Sequence, residues 1–322
     1  MTARVAAGAR LHFGFQNLSL ARERLYGGVG VALDAPRVVV EAETAEGVHC
    51  DDALVAECAE RAVDLLDVPG AAVTVTDRLP RHVGLGSGTQ FALATLSAVA
   101  AAHDRDPAVR DHAPAMGRGG RSGVGVAAFE SGGFVVDGGH PTELFTAAPP
   151  ENGVWTVPPV TARHELPTDW RFVVALPETG AGRSGDREDE SMRSVVERAD
   201  PGIADDIGGV LLRRVLPGAA EGDRDTFGAG VAKLGRLNGA WYADEQGGVY
   251  RPPAGRIVEA LSNCPAVAGA GQSSWGPAVW GLTDERGVGA ARDAAAEALD
   301  TVGVSGRVLV TTPRNHGVAV ES

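Results

Sequence analysis

An α+β fold in two domains is what this sequence predicts, and three observations carry the prediction. An apolar alternating run, Ala71 to Thr76, leads into a glycine-rich stretch, Pro80 to Gln90, and then into an alanine-rich run ending at Ala102. That order reads as strand, loop, helix. The last third of the chain alternates helical with strand patterns, and antiparallel returns fit an α+β sandwich. At 322 residues the chain can hold one large or two medium domains, here divided at 1–166 and 167–322.

The first part reads as a sheet. Arg4 to Phe13, Tyr26 to Leu33 and Arg37 to Glu43 have strand patterns, the middle one broken by glycines. Asp51 to Leu66 has helical periodicity, with Leu54, Ala62, Leu65 and Leu66 expected toward the core. After the loop and its helix comes a second glycine-rich stretch, Gly117 to Gly125, then a short helix from Val126 to Glu130. Strands are expected near Trp155–Val157 and Trp170–Leu176, beside proline-rich edges. Thr179 to Glu190 is polar and apolar-poor, and reads as an ordinary surface loop or linker, with a ligand-covering loop as the alternative. Helices are expected at 188–198, 202–215, 223–240 and 253–262, the third starting on Asp223-Arg-Asp-Thr226 with acids where the helix dipole favours them. Strand Val267–Ala270, the loop Gly271 to Pro277, strand Ala278–Leu282, helix Val288–Val302 and strand Arg307–Thr312 complete the order.

Composition excludes several classes. Net charge is −13, and lysine occurs once, at Lys233, so arginine carries nearly all the positive charge. An acidic, lysine-poor surface suits a salt-rich, halophilic cytoplasm, and a GC-rich genome gives the same bias. No basic stripe is present, so nucleic acid is not an expected partner. The N-terminus lacks a signal-peptide core and no apolar run is long enough to span a bilayer, which predicts a cytoplasmic protein without a membrane partner. Cys50, Cys58 and Cys264 have no metal-ligand spacing and read as reduced core fillers.

The chemistry lies in the glycine clusters. Gly84, Leu85, Gly86, Ser87, Gly88, Thr89 and Gln90 open a helix, where free N–H groups and a partial positive charge hold phosphate. A tight turn would use the same glycines. The stretch is no P-loop, because Lys233 is followed by Leu234, and it lies too far beyond its strand for a dinucleotide fingerprint. Yet there are three such clusters. Gly271 with Gln272, Ser273 and Ser274 adds neutral donors, and Arg118 and Arg121 of the second cluster add forked cations suited to phosphate or carboxylate. Asp137, between Val136 and Gly138, is either a turn residue or a holder of Mg²⁺ on a phosphorylated ligand. His12, His82 and His140 are proton-transfer candidates. No Ser/His/Asp ordering or HExxH motif is present.

In order, Gly8 to Gly14, Pro80 to Gly88 and Ala268 to Ser274 resemble the three motifs of the GHMP kinase superfamily. Within it, six segments resemble the archaeal β-ribofuranosylaminobenzene 5'-phosphate synthase family: Ala9–Gly14, Tyr26–Asp34, Gly84–Gln90, Arg121–Gly125, Gly132–His140 and Gly271–Pro277. The resemblance implies a two-domain GHMP-kinase-like fold with the ligand cleft between the domains. It departs from the kinases at Ser122-Gly-Val-Gly125, where they carry an acid at the last position, and no lysine lies in the first two-thirds of the chain.

The resemblance implies that phosphoribosyl pyrophosphate condenses with 4-aminobenzoate or 4-hydroxybenzoate, losing pyrophosphate and carbon dioxide, in the biosynthesis of a methanopterin-type cofactor. Asp137, His140 and Arg121 are the expected catalytic residues, with Asp137 beside the oxocarbenium-like sugar. Arg10, His12 and Arg118 are expected on the substrates, Arg10 or Arg121 meeting the carboxylate. Mg²⁺ is expected with the pyrophosphate, direct metal ligands are left unassigned, and neither PLP nor flavin is expected. A homodimer is left open. Two other readings stand beside this one: an ATP-dependent small-molecule kinase, and a non-catalytic nucleotide- or phosphate-binding sensor.

Overall fold

The computed structural model describes residues 2–145, 155–179 and 186–321, with side chains at 186–190 excepted. In chain order, β1 (Thr2–Asn17), β2 (Arg24–Thr44), β3 (Gly47–His49), α1 (Ala53–Leu66) and β4 (Gly70–Asp77) lead to α2 (Ser87–Ala102). Then follow α3 (Val109–His112), α4 (Val124–Glu130), β5 (Phe134–Asp137), β6 (His140–Pro141), β7 (Val160–His164) and β8 (Trp170–Pro177). Helices α5 (Asp186–Arg198), α6 (Pro201–Val210), α7 (Leu216–Glu221), α8 (Arg224–Trp241), α9 (Ala243–Gln246) and α10 (Ala254–Asn263) precede β9 (Gly269–Gln272), β10 (Val279–Asp284), α11 (Val288–Thr301), β11 (Gly306–Thr311) and β12 (Ala319–Glu321).

Among the described residues the strands form two sheets, and the architecture is α+β. The larger runs β12-β1-β2-β4-β3, with β5 and β6 also on β2, and β7 on β5; the smaller runs β11-β8-β10-β9. All pairings are antiparallel except β3 with β4. The two strands expected at 26–33 and 37–43 are one strand, β2. It divides its partners, with Val29–Val31 against β5 and Val39–Thr44 against β4.

Helix α2 lies on β1 and β2, and it is buried almost all round, from Gln90 through Leu93, Leu96 and Val99. Helix α8 packs on both β1 and β9, so it ties the two sheets. Phe227 on α8 sits 6.4 Å from Phe13 and 5.1 Å from Phe134, ring to ring, and Phe13 sits 5.0 Å from Trp280. Along β8 the side chains alternate, as a pleated strand requires. Phe172, Val174 and Leu176 join this main core, while Val173 and Ala175 join a second core under α10 and α11. The C-terminus returns to the first sheet, where Ala319–Glu321 pairs with Arg4–Ala6.

Three local expectations are corrected. In α1 the buried stripe is Val55, Ala59, Ala62 and Leu66, and Leu54 is 46 % exposed. The i, i+4, i+7, i+11 spacing of the buried residues is one continuous face, and Leu54 lies off it. No strand forms at Trp155–Val157; the strand is β7, beginning after Pro158 and Pro159, which bring no N–H to a ladder. The helix expected over 202–215 is α6 followed by a π-turn at Leu211–Val215 and then α7. Of the polar segment Thr179 to Glu190, residues 180–185 lie outside the described residues.

Candidate functional site

The site is built on the N-terminus of α2. Gly86, the residue before the helix, has φ +75°, and no side chain caps the helix. A left-handed φ there suits glycine. The N–H groups of Thr89 and Gln90 both return to the Gly86 carbonyl at 3.1 Å. Those of Ser87 and Gly88 have no acceptor among the described residues, as expected at an uncapped helix start. Buried Leu85 anchors the loop below them.

Arg10 runs beneath this loop. Its backbone N–H donates to Leu85 O at 3.1 Å, and its Nη1 donates to Gly84 O at 2.7 Å. A Cβ on Gly86 would lie 2.8 Å from Arg10 Cγ, so glycine is needed for the arginine to pass. The Gly84 carbonyl also accepts from Ser273 Oγ at 2.7 Å, and Ala278 N donates to Val83 O at 3.1 Å. Backbone meets backbone here, because a Cβ on Gly276 would lie 2.2 Å from the Val83 carbonyl. The late glycine loop therefore rests directly on the first.

The second glycine stretch closes from the other side. Gln90, 1 % exposed, donates Nε2 to Gly125 O at 2.9 Å, joining α2 to α4. A Cβ on Gly125 would lie 3.1 Å from Thr89 Cγ2. Arg118 Nη1 lies 3.1 Å from the position of a Cβ on Gly88, and its Nε is buried without a partner. Burial pulls the Arg118 guanidinium below its ordinary pKa; the Cys58 thiol opposes this and Arg61 adds to it.

A hydrogen-bonded line crosses the site floor. His12 Nε2 lies 3.2 Å from Ser122 Oγ, and Ser122 Oγ donates to Asp137 Oδ2 at 3.0 Å. Gly123 N donates to the same carboxylate oxygen at 2.7 Å, and Gly139 N to Oδ1 at 2.9 Å. Asp137 has no exposed surface. Burial pushes its carboxyl up, against the N–H groups of Gly139, Gly28 and Gly123 and the Ser122 hydroxyl, which hold it down. Serine is the middle member and gives its proton to the acid, so this is no nucleophilic triad. His12 is lowered to about 3 by burial and by Arg10, and is a neutral imidazole at ordinary pH. Its backbone joins the late loop, with His12 N donating to Ser273 Oγ at 3.1 Å and Ser274 N to His12 O at 3.1 Å. The bulge between His12 and Gly14 in β1 aims this stretch at the loops.

The other expected residues stand further out. His140 Nε2 lies 2.6 Å from Gly120 O, which only accepts, so that nitrogen carries the hydrogen and fixes the second loop. Arg121 hydrogen-bonds the Tyr26 side chain. Gln272 is turned sideways, accepting from Arg251 N at 2.9 Å and donating to Ser274 O at 3.0 Å. A Cβ on Gly271 would lie 2.8 Å from the Trp280 ring. Ser274 is exposed, with φ +53°.

Three participants were not singled out from sequence. Ser122 links His12 to Asp137; its signal was its place in Ser-Gly-Val-Gly. Gln16 donates Nε2 to Asp137 O at 2.6 Å, and nothing local marks it. Tyr26 has φ +70°, a strained conformation for a bulky residue, and the Gly-Gly that follows it was the available hint.

An aromatic pocket adjoins the late loop. Phe15, Asn238, Tyr242, Tyr250 and Trp275 line it, with His12 and Ser274 at the side shared with the glycine loops. The Tyr242 and Trp275 rings are 4.5 Å apart. Asn238 is occupied in holding the Phe15 backbone, accepting from its N at 2.7 Å and donating to its O at 2.9 Å.

Among the described residues no group of three His, Cys, Asp or Glu side chains comes together as a metal site. The donors on both oxygens of Asp137 do not fit a protein-held Mg²⁺. No helix among the described residues is long and apolar enough to cross a membrane.

Uncapped helix, glycine loops and two sheets together define the GHMP kinase fold. Residues 43–133 match the family described as GHMP kinases N terminal domain. The structure is similar to homoserine kinase from Cytophaga hutchinsonii, with TM-score 0.66 and 17% identity over 99% of this chain and 97% of that one. It is likewise similar to mevalonate diphosphate decarboxylase from Staphylococcus aureus, with TM-score 0.65 and 11% identity over 100% and 99%. These likenesses establish the fold alone.

The sequence goes further. It is 34% identical to beta-ribofuranosylphenol 5'-phosphate synthase of Methanothermobacter thermautotrophicus, over 96% of this chain and 95% of that protein. It is 33% identical to the protein of the same name from Archaeoglobus fulgidus, over 99% of both. The chain belongs to the beta-ribofuranosylphenol 5'-phosphate synthase family.

Proposed function

We propose that this enzyme is a decarboxylating phosphoribosyltransferase, joining phosphoribosyl pyrophosphate to a 4-substituted benzoate. One observation carries the reading: three glycine loops converge on one α2 N-terminus, with Arg10 and Arg118 at the loops and an aromatic pocket beside them. Such a site offers separate places for a doubly phosphorylated sugar and for an arene.

The anomeric carbon–oxygen bond breaks and its electron pair leaves with pyrophosphate. A ring π pair of the benzoate, at the carbon bearing the carboxylate, forms the new carbon–carbon bond. The bond to the carboxylate then breaks, its electrons restore the aromatic ring, and carbon dioxide departs. The 4-hydroxyl or 4-amino group pushes electrons toward the attacking carbon. Charge grows on the leaving pyrophosphate, so fixed N–H groups and guanidinium groups aimed there lower the barrier. Mg²⁺ belongs to this reading as a counter-ion carried by pyrophosphate.

Asp137 in this reading is a positioning residue. Its carboxylate holds Ser122, Gly123 and Gly139, and through Ser122 it orients His12. His140 holds the second loop through Gly120. Arg121, at the Tyr26 hydroxyl, receives the benzoate carboxylate. Too firm a grip there would oppose loss of carbon dioxide, because ground-state binding does not speed the chemical step.

The test is incubation in high salt with phosphoribosyl pyrophosphate and either 4-hydroxybenzoate or 4-aminobenzoate, following pyrophosphate and carbon dioxide from carboxyl-labelled substrate. Equal release of both supports the reading. ADP release from ATP with an alcohol acceptor, and no pyrophosphate, overturns it in favour of a kinase. Ligand stabilisation with no turnover supports a sensor.

A further inference from the structure

We propose that Arg118 is the residue that seats the leaving pyrophosphate, and that Gly88 leaves room for its guanidinium at the first turn of α2. The proposal rests on the phosphoribosyl reading and adds a named contact to it. From the position of a Cβ on Gly88, Arg118 Nη1 lies 3.1 Å away, Cζ 3.4 Å and Nη2 3.4 Å. The end of the guanidinium therefore rests against Gly88, in the first turn of α2.

Among the described residues no carboxylate pairs with this cation. Arg118 Nε is buried with no hydrogen-bond partner. Its strongest electrostatic neighbours are the Cys58 thiol and Arg61, the latter a like charge. Other arginines among the described residues hold an acid, as Arg110 holds Glu130 at 2.7 Å and Arg61 holds Glu57 at 2.6 Å. A partly buried guanidinium without a counter-charge carries a desolvation cost, and an anion that completes it recovers that cost.

The complement lies on the same turn. The N–H groups of Ser87 and Gly88 have no acceptor among the described residues, and the helix dipole adds positive potential. Fork, free N–H pair and dipole together select a compact, multiply charged phosphate. Pyrophosphate carries more charge than the 5-phosphate of the sugar, and only its charge grows during reaction, so the strongest positive site belongs to it.

The experiment measures binding of inorganic pyrophosphate and of ribose 5-phosphate by calorimetry, at one fixed salt concentration, to the wild type, Arg118→Gln, Arg118→Lys and Gly88→Ala. Turnover of each is followed in parallel. Loss of one charged hydrogen-bonding partner predicts pyrophosphate affinity about 10- to 100-fold weaker in Arg118→Gln, with Arg118→Lys between, and ribose 5-phosphate little changed. Gly88→Ala crowds the guanidinium and shifts it by a few tenths of an ångström, and is expected to weaken pyrophosphate binding with residue 118 intact, which answers any folding defect of Arg118→Gln. Unchanged pyrophosphate affinity in both Arg118→Gln and Gly88→Ala overturns the proposal. So does an equal loss for ribose 5-phosphate. If the wild type binds pyrophosphate through Arg118 yet never turns over phosphoribosyl pyrophosphate, the proposed reaction fails and this seat stands.

Discussion

Two long helices of this chain begin in opposite ways. Helix α8 starts at Asp223, whose Oδ1 accepts from Asp225 N at 3.1 Å and Thr226 N at 3.0 Å. Helix α2 starts at Gly86 with no capping side chain and leaves two N–H groups without an acceptor among the described residues. Thr226 also donates its hydroxyl to Asp223 at 2.6 Å, so that end is complete within itself. A capped start stabilises the fold. An uncapped start, ringed by glycine loops and arginines, gives up that stabilisation and keeps its donors for a ligand. Stability and function are thus separated between helix ends of equal chemical kind.

Substitutions break the comparison in a definite order. The largest effect belongs to Gly86→Ala. A Cβ there lies 2.8 Å from Arg10 Cγ and sits on a φ of +75°. Strain costs about 1–2 kcal/mol of stability, and displacement of Arg10 costs more in function. Turnover kinetics are expected to show kcat/KM lowered about 100-fold, with unfolding by urea showing the smaller stability loss.

His12→Gln comes next, and pH reveals it. Unfolded histidine titrates near 6.5 and folded His12 at about 3. Between those values the unfolded chain binds a proton that the folded chain refuses. Stability from this group is therefore complete above pH 6.5 and falls as pH drops toward 3, by at most about 1.4 kcal/mol per pH unit. Glutamine at this position removes that proton, and urea midpoints between pH 7 and pH 4 are expected to fall less steeply than in the wild type.

Trp275→Ala sharpens the division within the site. The ring lines the aromatic pocket and not the α2 turn. Steady-state kinetics are expected to show KM for the benzoate raised about tenfold, with KM for phosphoribosyl pyrophosphate near wild type. The smallest effect is Asp223→Ala, which removes the α8 cap and costs about 1 kcal/mol in thermal or urea unfolding, with kcat/KM unchanged.

Much of this was legible in the sequence because glycine spacing and helix signals are local. The three glycine clusters, the Asp223 start of α8 and the order of helices and strands in the last third each rest on a few adjacent residues. What was not legible depends on contacts distant in sequence. Asp137 reads as a turn residue or a holder of Mg²⁺ on a phosphorylated ligand, yet Ser122, Gly123 and Gly139 surround it and leave it with no exposed surface. His12, Ser122 and Asp137 have no order suggesting a hydrogen-bonded line, because strand pairing brings them together. Leu54 fits a helical stripe about as well as Val55 does, and only packing against the sheet and α2 decides between them.

Hydrogen–deuterium exchange with phosphoribosyl pyrophosphate tests convergence of the loops most directly. Peptides covering 84–90, 117–125 and 271–274 should gain protection together at one ligand concentration, while the first turn of α8 stays as it was. Protection of a single loop, or protection by ATP with none from phosphoribosyl pyrophosphate, would contradict a shared seat for the doubly phosphorylated sugar.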